Sequence, residues 1–268
     1  MAIAAIQLGN VVPGAKLLDK DGRGVNETFV GFIDVPSGRL RAYIKVLPGR
    51  QLMNELVATT LGRALGLAIP EGYLVRARPS DLPESAHLAA HSAEAMVFAS
   101  GETSAPDLKR RMKAEGTAAL AALFTAWHGW VPCMAFDEWL ANGDRNPGNI
   151  LFGGPGDIWL IDHSHCFTGP NWHASQLVPQ GVWRNVIAEN RIPTLTLPER
   201  IEAKKRVASL IPTLAALDCL SAFAASQAGA FLSPADAATL QGFIASRVSY
   251  LYDILSYRLG IPNLGGAL

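Results

Sequence analysis

Three polar side chains lie within nineteen residues of one another and are of the types that handle phosphate and magnesium. Asp144 and Asn149 are five positions apart, and Asp162 directly follows a short apolar run, residues 158–161. Phosphoryl transfer needs a carboxylate to orient the attacking hydroxyl and oxygen ligands to hold Mg²⁺ on the phosphates. The spacing therefore predicts Asp144 and Asn149 as catalytic residues, and Asn149 and Asp162 as the ligands of Mg²⁺.

The segments around these residues predict a hairpin that brings them together. Two apolar runs, residues 150–152 and 158–161, flank the turn sequence Gly-Gly-Pro-Gly. A short amphipathic turn with Phe136, Trp139 and Leu140 precedes them. The alternative is that Asp-Arg-Asn-Pro-Gly is ordinary turn chemistry, in which Asp and Asn side chains bond to the local backbone. A second aspartate at the end of an apolar strand favours the catalytic interpretation.

A lysine and a glutamate upstream have the arrangement of an ATP-binding ion pair. Residues 28–35 and 40–47 alternate as paired strands joined by Pro-Ser-Gly, which places Lys45 on the face opposite Ile44. Glu55 lies in residues 51–67, where leucines recur at helical spacing. A strand lysine and a helix glutamate hold the α- and β-phosphates of ATP in kinases. The alternatives are a solvated edge charge for Lys45 and a surface helix charge for Glu55.

Both groups of residues resemble the HipA-like kinases, and the first group, with Asp144, Asn149 and Asp162, also resembles the related phosphatidylinositol 3- and 4-kinases. The resemblance covers about residues 14–167 and is carried by residues 43–46 (YIKV), 54–58 (NELVA), 61–70 (LGRALGLAIP), 143–150 (GDRNPGNI) and 160–163 (LIDH). Two positions depart from the family pattern. Asn146 stands where many members have histidine, and His163 with Ser164 replaces the pair that usually follows the metal-binding aspartate.

The resemblance implies an α+β, two-lobed protein-kinase-like fold. Residues 1–100 form the strand-rich N-lobe, residues 101–268 form the helical C-lobe, and residues 100–106 are the linker between them. It also implies ATP and Mg²⁺ as cofactors, with Lys45 contacting ATP and Glu55 positioning that lysine. In a kinase-like fold the hinge falls at residues 96–99, so adenine pairs with backbone groups of the three residues Val97, Phe98 and Ala99. The alternative for these three is a plain core strand.

The family also suggests a substrate and a partner. The resemblance implies a serine/threonine kinase, in this family often the toxin of a toxin–antitoxin pair that acts on a translation component and is restrained by a DNA-binding antitoxin. Compared with full HipA proteins the sequence is short, and we expect it to lack their additional amino-terminal subdomain, which leaves antitoxin docking open. The Gly-containing loop 19–26 is a candidate phosphate loop or a solvent-exposed hairpin tip, and it has no counterpart of the family's autophosphorylation serine.

Composition narrows the class of protein. The 268 residues are 49% hydrophobic and 17% charged, which is typical of a globular chain. With 23 basic and 23 acidic side chains, the formal net charge is zero, so bulk charge favours neither nucleic acid nor an anionic membrane as a partner. The three scattered cysteines indicate a reducing compartment. Since no apolar run reaches the roughly 20 residues of a membrane span, we expect a cytoplasmic protein.

The sequence also predicts strands, a polar loop and helices outside the site. Residues 73–78 and 94–99 are predicted strands separated by a polar loop, 81–91, and the carboxyl-terminal half is predicted to contain three helices: residues 117–130, 197–226 with a break at Pro212, and 233–259. Residues 167–190 carry tryptophans that either bind substrate or anchor a loop.

A lipid or small-molecule kinase and a non-catalytic nucleotide-binding pseudokinase remain alternatives. A zinc site at His163, His165 and Cys166 lacks a further ligand cluster.

Overall fold

The computed structural model describes residues 3–18, 26–91, 94–103, 105, 116, 126–154 and 156–263. The described strands are β1 Gln7–Val11, β2 Lys16–Leu17, β3 Glu27–Val35, β4 Gly38–Val46, β5 Gly72–Ala77, β6 Ala95–Gly101, β7 Ile150–Gly154 and β8 Asp157–Leu160. The described α-helices are α1 Arg50–Ala64, α2 Ala86–His91, α3 Trp130–Trp139, α4 Val186–Arg191, α5 Leu197–Ala215, α6 Cys219–Ala225 and α7 Pro234–Arg258. Strands therefore dominate the first part of the chain and helices the second.

The strands of the first part close on themselves. The sheet runs in the order β1-β5-β6-β4-β3-β2, and β1 also pairs with β3. Strand β1 is parallel to β5 and antiparallel to β3. Because β1 pairs on both sides, β1, β5, β6, β4 and β3 form a closed five-stranded barrel, with β2 as a short extension on β3. The sequence analysis predicts paired strands but not this closure.

The hairpin of β3 and β4 is confirmed. Its turn is Pro36-Ser37, because Gly38 already pairs with Val35. Gly38 has a φ of 121°, which only glycine adopts without strain. Phe29 and Ile33 on β3, with Ala42 and Ile44 on β4, are fully buried inside the barrel. Because successive side chains of a strand point to opposite faces, the side chain of Lys45 points out of the barrel, as predicted.

Helix α1 lies between the barrel and the carboxyl-terminal helices. Its residues from Gln51 to Gly62 are all buried. A Cβ at Gly62 would lie 2.2 Å from a methyl carbon of Ile69 and 3.0 Å from the ring of Phe136 in α3, so glycine permits this close approach. The helix ends three residues before the predicted limit of 67, at Ala64. Its own core residues therefore join both halves of the molecule.

The predicted polar loop 81–91 is partly wrong, because it contains helix α2. The carboxylate of Glu27, on strand β3, accepts hydrogen bonds from the amides of Ala86 (2.9 Å) and His87 (3.2 Å). Ser85 Oγ accepts from the amide of Leu88 at 3.1 Å. These bonds satisfy the first amides of the helix. Half of this cap comes from a residue about 60 positions away, so local sequence does not reveal it.

The predicted break at Pro212 is also wrong. Helix α5 continues through Pro212 to Ala215, and the break lies at residues 216–218. Proline costs a helix interior one hydrogen bond and some strain, which packing of the helix outweighs here. The side chain of Asp218 accepts from the amide of Ser221 at 2.9 Å and starts α6. Helix α7 begins after Ser233, which caps it, and ends before Gly260, as predicted.

Three further predictions concern the region before Asp144. The helix predicted over residues 117–130 lies mostly outside the described residues. The amphipathic turn at Phe136 is longer than expected, because it belongs to helix α3, which begins at Trp130. Ser100 and Gly101 belong to β6 and not to the linker.

No single helix in the described ranges is long and apolar enough to cross a membrane, and α5 with α6 passes that test only as a pair bent by 71°.

Candidate active site

Three predicted site residues meet at Lys45. Its Nζ lies 2.7 Å from Oε1 of Glu55 on α1 and 3.2 Å from Oδ1 of Asp162, which follows β8. Glu55 is 1% exposed, whereas the side chain of Asp162 is 37% exposed. The lysine therefore joins the barrel, helix α1 and the aspartate loop, and Asp162 is the most accessible of the three side chains.

The ion pair shifts both of its members toward their charged forms. Burial alone would lower the pKa of Lys45, but the charges of Asp162 and Glu55 outweigh it and raise that pKa above its ordinary value. Burial alone would raise the pKa of Glu55, but Lys45 and contacts with His163 hold it well below its ordinary value. Both groups are therefore charged over the whole physiological pH range.

The hairpin β7–β8 brings Asn149 beside Asp162. Ile150 pairs with Leu160, and the amide of Ile161 donates to the carbonyl of Asn149 at 3.1 Å. Asp162 itself has a φ of 58°, a left-handed conformation that is uncommon outside glycine. Its Oδ1 accepts from Ser164 Oγ at 2.9 Å. The predicted proximity of the two residues is therefore present.

Asp144 and Asn149 are joined by direct hydrogen bonds. Nδ2 of Asn149 donates to the carbonyl of Asp144 at 2.6 Å and to its Oδ2 at 3.2 Å. Nδ2 of Asn146 donates to Oδ1 of Asp144 at 3.2 Å, and Oδ1 of Asn146 accepts from the amide of Gly148 at 2.8 Å. Asn146, the first departure from the family pattern, therefore orients the carboxylate of Asp144, whose catalytic role stays a prediction.

The donor set suits Mg²⁺ rather than zinc. Asn149 uses its amide nitrogen toward Asp144, which leaves its amide oxygen for a cation. A carboxylate and an amide oxygen are hard ligands, and Mg²⁺ completes its shell with phosphate oxygens and water. In the part of the chain that the structure describes, no group of three or more His, Cys, Asp or Glu side chains is arranged to hold a metal ion. Asn149 and Asp162 fit a magnesium site shared with a nucleotide.

An arginine that sequence reasoning missed supports both catalytic segments. Arg145 is fully buried and forms a forked ion pair with Asp137 of α3, at 3.0 and 3.1 Å. Its Nη1 donates to the carbonyls of Asn149 (3.1 Å) and Ile161 (2.5 Å), the residue before Asp162. Asp137 also accepts from Asn142 at 2.8 Å. In the sequence, Arg145 is marked by its place directly after Asp144, in the segment 143–150 that carries the family resemblance.

His163, the second departure, is a buried side chain against helix α1. Its amide donates to Oε2 of Glu55 at 3.0 Å, and its Nδ1 lies 3.4 Å from the same oxygen. Its ring meets the ring of Phe136 edge to face, with centroids 6.0 Å apart. Burial and the charge of Arg145 lower the pKa of His163, so the imidazole is neutral beside Glu55. It therefore packs behind the site and is not arranged as a zinc ligand.

The residues predicted to contact adenine belong to strand β6, which is one of the strands of the closed barrel. Phe98 pairs with Lys45 on one side and Leu74 on the other, and Ala99 is likewise flanked by β4 and β5. Val97 pairs with Val75 of β5. The backbone groups of Phe98 and Ala99 are therefore occupied by sheet hydrogen bonds, and the adenine contact at these three residues stays a prediction. The chain leaves the sheet only after Gly101.

The tryptophans after Asp162 are anchors of a loop. Trp172 is 1% exposed, donates to Oδ1 of Asn54 at 2.9 Å and lies under the guanidinium of Arg50, 3.9 Å from its ring centroid. Trp183 packs under Arg247, 4.4 Å from its ring centroid. Substrate binding by this loop stays a prediction. The candidate phosphate loop lies outside the described residues except Asn26, which donates to Gln51 at 2.6 Å.

Comparisons with known proteins agree with this geometry. The family model of the HipA-like kinases matches residues 43–217. No curated protein matches the chain. Among solved structures, the chain is similar to the Helicobacter pylori proinflammatory kinase CtkA, with a TM-score of 0.57 and 16% identity over 94% of this chain and 98% of that one. At this identity the likeness shows a common fold. Because the family model spans more than half of its residues, the chain belongs to the HipA-like kinase family.

Proposed function

We propose that the protein is an ATP- and Mg²⁺-dependent kinase that transfers the γ-phosphoryl group to a serine or threonine hydroxyl of another protein. The observation that carries the proposal is the contact of Lys45 Nζ with both Glu55 and Asp162. This is the arrangement that kinases need to hold ATP and its metal ion at the same time. Membership in the HipA-like kinase family supports phosphotransferase activity.

Each residue has a distinct task in this reaction. Lys45, held by Glu55, contacts the α- and β-phosphates, and the oxygens of Asp162 and Asn149 hold Mg²⁺. Bound Mg²⁺ neutralises charge on the phosphates. The Asp144 carboxylate orients the acceptor hydroxyl and takes its proton. The oxygen of that hydroxyl bonds to the γ-phosphorus while the bond between the γ-phosphorus and the bridging oxygen of the β-phosphate breaks. The products are ADP and the phosphorylated side chain.

The division into lobes is part of the proposal. Residues 1–100 form the N-lobe around the barrel and α1, and residues 101–268 form the C-lobe that carries Asp144 and Asp162. ATP then lies between them, against Lys45. A protein acceptor from the translation machinery and an antitoxin partner are predictions that follow from the family resemblance, whereas the cytoplasmic location is a prediction from composition.

Transfer of label from γ-labelled ATP tests the reaction. Purified protein is incubated with Mg²⁺ and a cell extract, beside the variants Asp144→Asn and Asp162→Asn. Asp157→Asn is a matched control, since Asp157 lies in the same hairpin but bonds only to Trp159 among the described residues. We expect a labelled protein band whose phosphoamino acid is serine or threonine, lost in both site variants and retained in the control.

Other outcomes distinguish the remaining functions. Label in an extracted lipid or small molecule, with none in protein, would identify a kinase of the phosphatidylinositol-kinase type. A folded wild-type protein that binds ATP without transferring label would indicate a pseudokinase module. Labelling that survives both aspartate substitutions would contradict the assigned residues.

A further inference from the structure

Asn54, next to Glu55 on helix α1, contacts the segment after Asp162 through every polar atom of its side chain. Its Nδ2 lies within hydrogen-bond distance of the carbonyls of Ser164 (2.7 Å), Cys166 (3.0 Å) and Gly169 (3.2 Å). Its Oδ1 accepts from Trp172 Nε1 at 2.9 Å. The residue is fully buried. One amide therefore gathers a segment of about nine residues onto the helix.

The gathered segment has an unusual backbone that needs such support. Phe167 and Thr168 have φ values of 60° and 74°, and Gly169 follows at 141°. Left-handed residues other than glycine persist only where surrounding contacts hold them. The amides of Phe167 and Thr168 donate to the carbonyls of Leu140 (2.6 Å) and Ala141 (3.2 Å) at the end of α3. The segment is thus held between α3 on one side and Asn54 on the other.

The neighbouring residue holds the start of the same segment. Oε2 of Glu55 accepts from the amide of His163 at 3.0 Å, and His163 directly follows Asp162. Two adjacent side chains of α1 therefore hold this segment by hydrogen bonds: Glu55 binds the residue directly after Asp162, and Asn54 binds residues up to ten positions after it. Asp162, whose Oδ1 lies 3.2 Å from Lys45 Nζ, directly precedes the first of these contacts.

We propose that Asn54 is a positioning residue for Asp162, which fixes the carboxylate where it receives Mg²⁺; this inference rests on the proposed kinase function. No other side chain of this size meets the same demand. An aspartate would set a carboxylate against three carbonyl oxygens, and a leucine would leave those carbonyls and the Trp172 indole without their buried partner. Asn54 acts through the segment and does not touch the reacting groups.

Binding of a non-hydrolysable ATP analogue at increasing Mg²⁺ concentrations tests the role. The variants are Asn54→Ala and the milder Trp172→Phe, which keeps an aromatic ring but removes the indole donor. Asn190→Ala is the control, since Nδ2 of Asn190 donates to one helix carbonyl, that of Val186, at 2.8 Å. We expect Asn54→Ala to raise the half-saturating Mg²⁺ concentration about tenfold or more, as for other residues that orient metal ligands. Trp172→Phe shifts it less in the same direction, and the control leaves it unchanged.

Hydrogen exchange of the protein without nucleotide gives a second readout. Asn54→Ala is expected to accelerate exchange at amides 163–172 while amides 43–46 of β4 keep their protection. An unchanged Mg²⁺ dependence, with lower stability or lower activity only, would overturn the positioning role and leave a structural one. If Asn54→Ala does not fold, Trp172→Phe decides by the same two measurements. A folded wild-type protein that binds no nucleotide at any Mg²⁺ concentration would instead refute the proposed function, and this inference with it.

Discussion

Substitution of Arg145 by methionine separates support of the active site from general packing. Methionine fills much of the volume of the arginine stem but removes the forked ion pair with Asp137 and the donors to two carbonyls. Both charged side chains are fully buried. Burial alone would lower the pKa of Arg145, but the charge of Asp137 raises it above its ordinary value, so the guanidinium of Arg145 stays charged.

The expected loss follows from the groups that remain unpaired. Removing one member of a buried ion pair costs about 3–5 kcal/mol, because the other charge stays buried. The Ile161 carbonyl loses its donor, at a cost of about 1–3 kcal/mol, whereas the Asn149 carbonyl still accepts from the amide of Ile161. These terms overlap, so we expect a loss of about 5 kcal/mol in the free energy of unfolding. Typical domains have about 5–15 kcal/mol in total.

Urea unfolding followed by circular dichroism at pH 7 measures the loss. The matched control is Arg39→Met, which removes an equally well aligned fork to Asp34 (2.7 and 2.8 Å) on the surface of the β3–β4 hairpin. Solvent screens that exposed pair, so little change is expected. Adding Asp137→Leu to Arg145→Met removes the carboxylate that has lost its counter-charge and is expected to recover several kcal/mol. Equal losses at Arg145 and Arg39, or no recovery in the double variant, would refute the reasoning.

Three further predictions concern the site and its surroundings. Lys45→Met is expected to lower kcat/KM for phosphoryl transfer by about 100-fold or more, in line with the loss of one preorganised charged contact, as steady-state kinetics can measure. Because burial lowers the pKa of His163, this imidazole takes up a proton first in the unfolded chain as the pH falls, near the ordinary value of about 6.5. The contribution of neutral His163 to stability is therefore complete above that pH and is lost below it. His163→Phe should flatten the decline of the Tm between pH 7.5 and 5.5. Glu138→Gln leaves the buried Arg247 and its neighbour Arg258 without their shared carboxylate and should cost about 3–5 kcal/mol in urea unfolding, with no loss if the two arginines find other partners.

Local patterns in the sequence predict the parts of the site that lie close along the chain. The strand of Lys45, the helix of Glu55 and the hairpin joining Asn149 to Asp162 are present with boundaries shifted by a few residues. Alternation and leucine spacing are strong signals because side chains in these elements choose between a buried and an exposed face. The contact of Lys45 with Glu55 follows from those elements together with the family resemblance, while the catalytic roles stay predictions.

Features made by residues far apart in the chain could not be predicted in this way. Glu27 caps α2 from across the sheet, and closure of the barrel depends on β1 pairing with two strands at once. Arg145 and Asn54 lie within segments that carry the family resemblance, but only the folded chain shows that both are fully buried among backbone carbonyls. Their signal is tertiary, since a polar side chain reveals its partners only after the elements have packed.

The burial of α1 from Gln51 to Gly62 has a consequence for how the molecule unfolds. One wall around this helix is the barrel, and the other includes α3 and α6, so its apolar side chains belong to a core that spans both halves of the chain. The amide of Ile6, ahead of β1, donates to the carbonyl of Ala225 at 2.9 Å, which ties the earliest and the late segments together. Separating the halves would expose that helix to water. Heat or denaturant is therefore expected to melt barrel and helices in a single cooperative transition, rather than one half at a time.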